Sequence, residues 1–204
     1  MAEKFLSKVY TVSGVDETRA IYDDWSASYE AEIGENGYAT PGRIAAALAG
    51  LIADKSRPLL DYGCGTGLGG LALRLQGFSV IDGMDLSPEM LEQARAKHLY
   101  RHLAIVAGDA PPPVDPGTYG AIAAVGVIGS GAAPVSVLAQ LLDCLAPGGL
   151  LAFSFNDHTL EDPSYAAVVD GWLRSGAAVE RFREHGPHLP GIGLGANVYV
   201  IEKT

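Results

Sequence analysis

Three glycines recur at alternate positions in LLDYGCGTGLGG (residues 59–70): Gly63, Gly65 and Gly67, with Cys64 inside the run. Glycine tolerates positive φ and lets a ligand approach the backbone with no Cβ in the way. The segment therefore reads as a strand-to-helix turn that contacts a cofactor through these residues. Gly65 to Gly70 also fits G-x-G-x-x-G, the dinucleotide pattern. Asp61, two residues before Gly63, points elsewhere. A neighbouring carboxylate opposes a pyrophosphate at a helix N-terminus, whereas it attracts a cationic amino group.

A second acid supports a nucleoside ligand. Asp85, twenty residues past Gly65, closes the segment VIDGMD, and a carboxylate at the end of a second strand can accept both ribose hydroxyls. Asp82 is close by, but Asp85 stands directly before a capped helix. Asp109, in Gly108-Asp109-Ala110, is placed to accept an adenine amino group. For proton transfer, His158 in NDHT is the nearest candidate base, with Asn156 to orient a substrate; the competing reading of His158 is a solvated loop residue. His185 and His188 flank Gly186-Pro187 without a carboxylate at fixed spacing, so no metal site is expected. Arg174, Arg181 and Arg183 either meet a substrate carboxylate or form a solvated face.

The elements that position these residues follow from periodicity. Apolar runs at 58–60, 78–81, 103–106, 121–128 and 150–155 alternate with segments of helical period, the βαβ rhythm of a doubly wound α/β sheet. Leu68, Leu71, Ala72 and Leu75 predict a helix with one buried stripe. Ser87-Pro88 is an N-cap followed by proline at the first helical position, with Met90, Leu91 and Ala94 on the apolar face. Leu138, Leu141, Leu142 and Leu145 predict a third helix that stops at Pro147-Gly148-Gly149. Upstream, Thr40-Pro41 caps a helix carrying Ile44, Ala47, Leu48, Leu51 and Ile52, and residues 13–29 hold another helical stretch. Downstream, residues 166–173 read as helix. Residues 179–185 and 197–201 pair as a terminal hairpin joined by a long loop, HGPHLPGIGLGA.

A chain of 204 residues suits one α/β domain, divided into an N-terminal helical cap (1–57), a cofactor-binding core (58–155) and a C-terminal substrate-side segment (156–204). Its net charge of −10 repels a polyanion, so no nucleic-acid partner is expected. No apolar run is long enough to span a bilayer, and MAEKFLSKVY lacks the apolar region of a signal peptide, so no membrane partner is expected either. Cys64 and Cys144 form no CxxC pair; reduced thiols and a cytoplasmic setting are the default.

Taken in order, D-x-G-x-G-x-G at 61–67, Asp85, Gly-Asp-Ala at 108–110 and LAPGGLLAFSF at 145–155 resemble the class I S-adenosylmethionine-dependent methyltransferases. IYDDWSASYE (21–30) and DLSPEMLEQA (85–94) are similar to the methyltransferase-domain proteins related to the Williams–Beuren-region methyltransferase. The resemblance implies a Rossmann-like, doubly wound seven-stranded sheet, mostly parallel with an antiparallel last strand and helices on both faces. It implies S-adenosyl-L-methionine as cofactor, S-adenosyl-L-homocysteine as product and, as the expected acceptor, a small molecule. Tyr22, Trp25 and Tyr29 would close over the methionine end, Leu86 and Ala110 would flank the adenine, and Val125 to Val127 would run beneath the methionine. The spacing of the three aromatics equally serves a buried helix face. Two alternatives stand beside methyl transfer: a non-catalytic sensor of the same cofactor, and an NAD(P)-dependent oxidoreductase.

Overall fold

A computed structural model describes residues 5–8, 14–108, 110–129 and 132–204. Seven strands, Leu59–Tyr62 (β1), Ile81–Asp85 (β2), Leu103–Ile105 (β3), Ala121–Ala124 (β4), Leu150–Asn156 (β5), Ala178–Leu189 (β6) and Leu194–Lys203 (β7), form one sheet of order β3-β2-β1-β4-β5-β7-β6. From β3 to β5 every pair is parallel; β7 runs antiparallel between β5 and β6. The strand order reverses between β1 and β4, and such a switch point opens a crevice at the carboxyl ends of the strands. The helices are Phe5–Lys8 (α1), Val15–Trp25 (α2), Tyr29–Glu35 (α3), Thr40–Leu51 (α4), Leu68–Leu75 (α5), Pro88–Ala96 (α6), Ser136–Asp143 (α7), Asp157–Leu160 (α8) and Pro163–Ser175 (α9).

Strands β1, β2 and β4 are buried along their whole length, as apolar runs covered on both faces must be. Successive side chains alternate between two cores. Leu60, Ile122 and Phe153 pack with Leu138 and Leu141 of α7 and Val169 of α9. Leu59, Ile81 and Val200 pack on the other face with Ile44 and Leu48 of α4 and Leu73 of α5. Among the described residues no helix is long and apolar enough to cross a membrane.

Ser87 caps α6 as its sequence predicts, accepting from the Met90 N–H at 3.1 Å, with Met90, Leu91 and Ala94 buried. Helix α5 forms where predicted but turns a different face inward. Leu71 is 40% and Leu75 79% exposed, while Gly69, Gly70 and Leu73 are buried. The cause lies beneath the helix. A Cβ on Gly69 would stand 2.8 Å from Asp61 Oδ2, and one on Gly70 2.3 Å from Tyr100 Oη; only glycine lets α5 come down onto these polar groups.

Other expectations also change. Strand β4 stops at Ala124 rather than continuing to Ile128, and Gly126 bends at φ 68° beneath Tyr38. Thr40 does not cap α4; its Oγ1 is hydrogen-bonded to His188 Nδ1 at 2.7 Å. Most of the predicted terminal loop is strand: β6 and β7 pair as far as Leu189 and Leu194, leaving only a 3-10 turn at Pro190–Ile192. Proline within β6 is tolerated because that strand is the sheet edge. Arg43 of α4 donates to the carbonyls of Glu184, Pro187 and Ala196, which fastens the hairpin to the core.

Asp82, the rejected alternative to Asp85, proves to be a structural node. It accepts from Arg101 Nε and Nη2 (2.9 and 2.6 Å), the His102 N–H (3.2 Å) and Tyr119 Oη (2.9 Å). Removing one partner from such a buried cluster strands the rest. Urea unfolding of Asp82→Ala is expected to show a loss of about 3 kcal/mol, with ligand affinity at the glycine loop retained.

Candidate functional site

A cavity of about 540 Å³ opens at the carboxyl ends of β1, β2 and β4, and Gly63, Gly65, Asp85, Leu86 and Val125 all line it. Tyr22 and Tyr29 of the cap line it from above. A smaller recess shares Tyr29, Gly63, Gly65 and Val125 and extends to Asp61, Cys64 and Thr66. The glycine loop has the predicted backbone, with φ of 67° at Gly63, 52° at Gly65 and 99° at Gly67. A Cβ on Gly63 would meet Val127 Cγ2 at 2.3 Å, while Gly65 faces open space.

The two acids differ in how they are held. Asp85 is 8% exposed; its Oδ2 accepts from the Gly65 N–H at 2.7 Å and its Oδ1 from the Ser87 N–H at 2.9 Å. Burial raises its pKa and these backbone donors pull it back. Each oxygen keeps a lone pair for a further donor. Asp61 is fully buried; Oδ2 accepts from Tyr100 Oη at 2.8 Å, and Oδ1 has no partner among the described residues. Thr66 Oγ1, also in the recess, is likewise without a partner. Burial pushes the Asp61 carboxyl up to about 7, against the pull of the Tyr100 hydroxyl and the Gly70 N–H, with the nearby Asp85 charge adding to the rise. A buried acceptor of this kind calls for a further donor; Asp23 Oδ1 and Gln140 Oε1 share the condition, but of these acids and amides only Asp61 lines the recess.

Several predicted residues lie elsewhere. Trp25 is 2% exposed, packs with Ile33, Leu189 and Leu194, and donates from Nε1 to Glu32 Oε2 at 2.9 Å. It supports the cavity-lining aromatics from behind, with ring centroids 5.9 Å from Tyr22 and 4.8 Å from Tyr29. Gly67 serves as the left-handed N-cap of α5, against the Tyr100 ring. Ala110 is exposed and does not line the cavity, and Asp109 lies outside the described residues. The Cys64 thiol is buried in the recess, with its pKa pushed up by burial.

The predicted proton-transfer pair is not brought to the cavity. Asn156 is the N-cap of α8, its Oδ1 accepting from both N and Oγ1 of Thr159 at 2.9 Å. His158 sits in that short helix with a half-exposed side chain, 3.7 Å from Glu161. The chain turns into α8 directly after β5, and this turn carries both residues away. His185 meets Asp157 at 2.9 Å. Arg181 and Arg183 pair with Glu202 and Glu180 on the outer hairpin. No His, Lys or Arg lines either cavity among the described residues.

Tyr100 is the residue that sequence reasoning missed. It lies just before β3, far in sequence from the loop it supports. Three nearby glycines bore its trace, since a Cβ on Gly67, Gly70 or Gly83 would come within 3.3 Å of its side chain. Lys97 was missed as well. Its Nζ donates to the Thr66 carbonyl and to Glu30 of α3, tying the cap to the glycine loop.

The parallel sheet, the switch-point cavity and the glycine loop between two acids define a Rossmann-like class I methyltransferase domain. Residues 37–192 match the methyltransferase domain family, and the chain belongs to it. Human methyltransferase-like protein 27 is 35% identical over 136 residues, covering 65% of this chain and 55% of that protein. Malonyl-[acyl-carrier protein] O-methyltransferase of Halalkalibacterium halodurans is 38% identical over 108 residues, 50% of this chain and 40% of that protein. The chain thus spans about half the length of the curated relatives it matches. A TehB-like SAM-dependent methyltransferase from Corynebacterium glutamicum shares the fold, with 17% identity, a TM-score of 0.61, and coverage of 89% of this chain and 98% of that one. Family membership replaces the oxidoreductase alternative, and the family implies use of S-adenosylmethionine.

The raised Asp61 carboxyl has a consequence for stability. An unfolded aspartate ionises near 3.8, whereas this one holds its proton to about 7. Ionisation therefore favours the unfolded chain progressively as pH rises from about 4 to about 7, and the penalty is constant above that. Asp61→Asn keeps an acceptor for Tyr100 and removes the charge. Urea unfolding of the ligand-free protein should show this variant to be more stable than the parent by about 2–4 kcal/mol at pH 8, and by less than about 1 kcal/mol at pH 4.

Proposed function

We propose that the chain binds S-adenosyl-L-methionine across the glycine loop and transfers its methyl group to a small-molecule acceptor, releasing S-adenosyl-L-homocysteine. The observation that carries this reading is Asp61 Oδ1, an acceptor buried at the recess without a donor. A cationic amino group satisfies it, and a pyrophosphate does not. The rest of the cavity fits the same ligand. Asp85 has capacity for ribose hydroxyls, Leu86, Met90 and Val106 offer apolar walls for a base, and Gly65 leaves the backbone open to approach. Tyr22 and Tyr29 cover the site from the cap.

When bound, this cofactor supplies an electrophilic methyl group on a sulfonium, so the protein's part is alignment and exclusion of water. The cavity is also lined by Val127, Ala132, Ala133, Pro134 and Tyr165. Those walls favour an apolar small molecule; the carboxylates that line the cavity and recess among the described residues, Asp85 and Asp61, are taken by the cofactor in this reading, which favours a nucleophile that needs no protein base. The net charge of −10 speaks against a polyanionic acceptor. The cap, core and C-terminal segments act as one unit in this reading. The free thiols of Cys64 and Cys144 are in keeping with a cytoplasmic setting.

Thermal unfolding should shift upward with S-adenosylhomocysteine and not with NAD, because a ligand that binds only the native state stabilises it. Calorimetry on Asp85→Ala should show S-adenosylhomocysteine bound at least about tenfold more weakly. Labelled S-adenosylmethionine incubated with a metabolite extract should yield a labelled small molecule. Binding of NAD alone would sink the cofactor assignment, and tight cofactor binding with no labelled product would favour the sensor.

A further inference from the structure

We infer that Tyr100 is a positioning residue of the cofactor site: it engages one oxygen of Asp61 and so presents the other to the ligand's ammonium group. The inference rests on the cofactor reading above. Its geometry leaves one hydrogen-bond direction open. Tyr100 Oη lies 3.1 Å from the Gly70 nitrogen and 2.8 Å from Asp61 Oδ2. The Gly70 N–H is a donor only, so the phenol accepts from it and spends its single hydrogen on Asp61.

Gly70 belongs to the first turn of α5, whose N-cap, Gly67, has no side chain to satisfy the free N–H groups there. Tyr100 takes that place from another part of the chain. The phenol thus links the helix N-terminus to the carboxylate through a continuous hydrogen-bond chain, and Asp61 cannot turn without breaking it. Oδ1 is thereby left as the unpartnered oxygen. The ring is seated for this purpose: a Cβ would approach it at 3.0 Å from Gly83 and 3.3 Å from Gly67, and would lie 2.3 Å from its hydroxyl from Gly70. Without the phenol, Oδ2 loses its hydroxyl donor and the carboxylate is left with the Gly70 N–H alone, so the hydrogen bond that sets the orientation of Oδ1 is gone.

Tyr100→Phe keeps the ring in its glycine-lined seat and deletes only the hydroxyl. Calorimetric titration would compare S-adenosylhomocysteine with 5′-methylthioadenosine, which retains the nucleoside and sulfur but has no amino-acid portion. The parent should bind both. The variant should bind S-adenosylhomocysteine about tenfold more weakly while its affinity for methylthioadenosine stays within about twofold. In an Asp61→Asn background the same substitution should add little to the loss, because the two residues act as one unit. A variant that weakens both ligands alike, or binds neither, assigns Tyr100 a purely structural role and overturns the inference; so does unchanged binding of both, or additive losses in the double variant. A parent that binds neither ligand removes the cofactor reading itself, and the inference with it.

Discussion

A carboxylate wholly out of water, with one oxygen unpaired, is the constraint around which this domain is arranged. Asp61 is the penultimate residue of β1, beside the reversal of strand order where the crevice opens. Burying it ionised is costly, so the surrounding chain limits that cost on one side only. The Tyr100 hydroxyl serves Oδ2, and space for that hydroxyl exists because the first turn of α5 turns Gly69 and Gly70 inward in place of the leucine stripe its sequence pattern suggests. Loop conformation, helix placement and the approach to β3 are therefore parts of one solution. One oxygen is left unserved in a residue that lines the recess.

The glycine-loop side of the cavity is legible in the sequence because its signals are local. Positive φ at Gly63, Gly65 and Gly67 is a property of three residues in one turn, and Ser87-Pro88 specifies a helix start whatever surrounds it. Asp85 could be chosen over Asp82 from its place before that start. What stayed hidden depends on chain segments distant in sequence. No periodicity within residues 68–75 could reveal that polar side chains from residues 61 and 100 would lie under α5. Nor could the proline- and glycine-rich stretch after His185 reveal that the sheet edge would tolerate it as strand.

Asn156 and His158 lie outside the cavity lining for a different reason. Asn156 and His158 follow β5, a position that suggested chemistry, but Asn156 and Thr159 stand three apart and form a capping pair. Local helix initiation accounts for the asparagine completely. The aromatics of the cap show a division that spacing cannot resolve: residues three and four apart share a helix face, yet Tyr22 and Tyr29 reach the cavity while Trp25, between them, is buried behind.

That tryptophan also joins distant parts of the chain. Its cluster draws Ile33 from the cap and Leu189 and Leu194 from the tip of the β6–β7 hairpin, while the Asn36 carbonyl accepts from the Gly191 N–H and the Ala39 N–H donates to His188. The roof of the cavity is thus a joint structure, assembled from the two ends of the polypeptide. Lifting the first helices exposes apolar surface on the hairpin tip, and fraying the tip uncovers Trp25. The cap and the edge of the sheet therefore stabilise one another, although the two regions lie more than 150 residues apart in the chain.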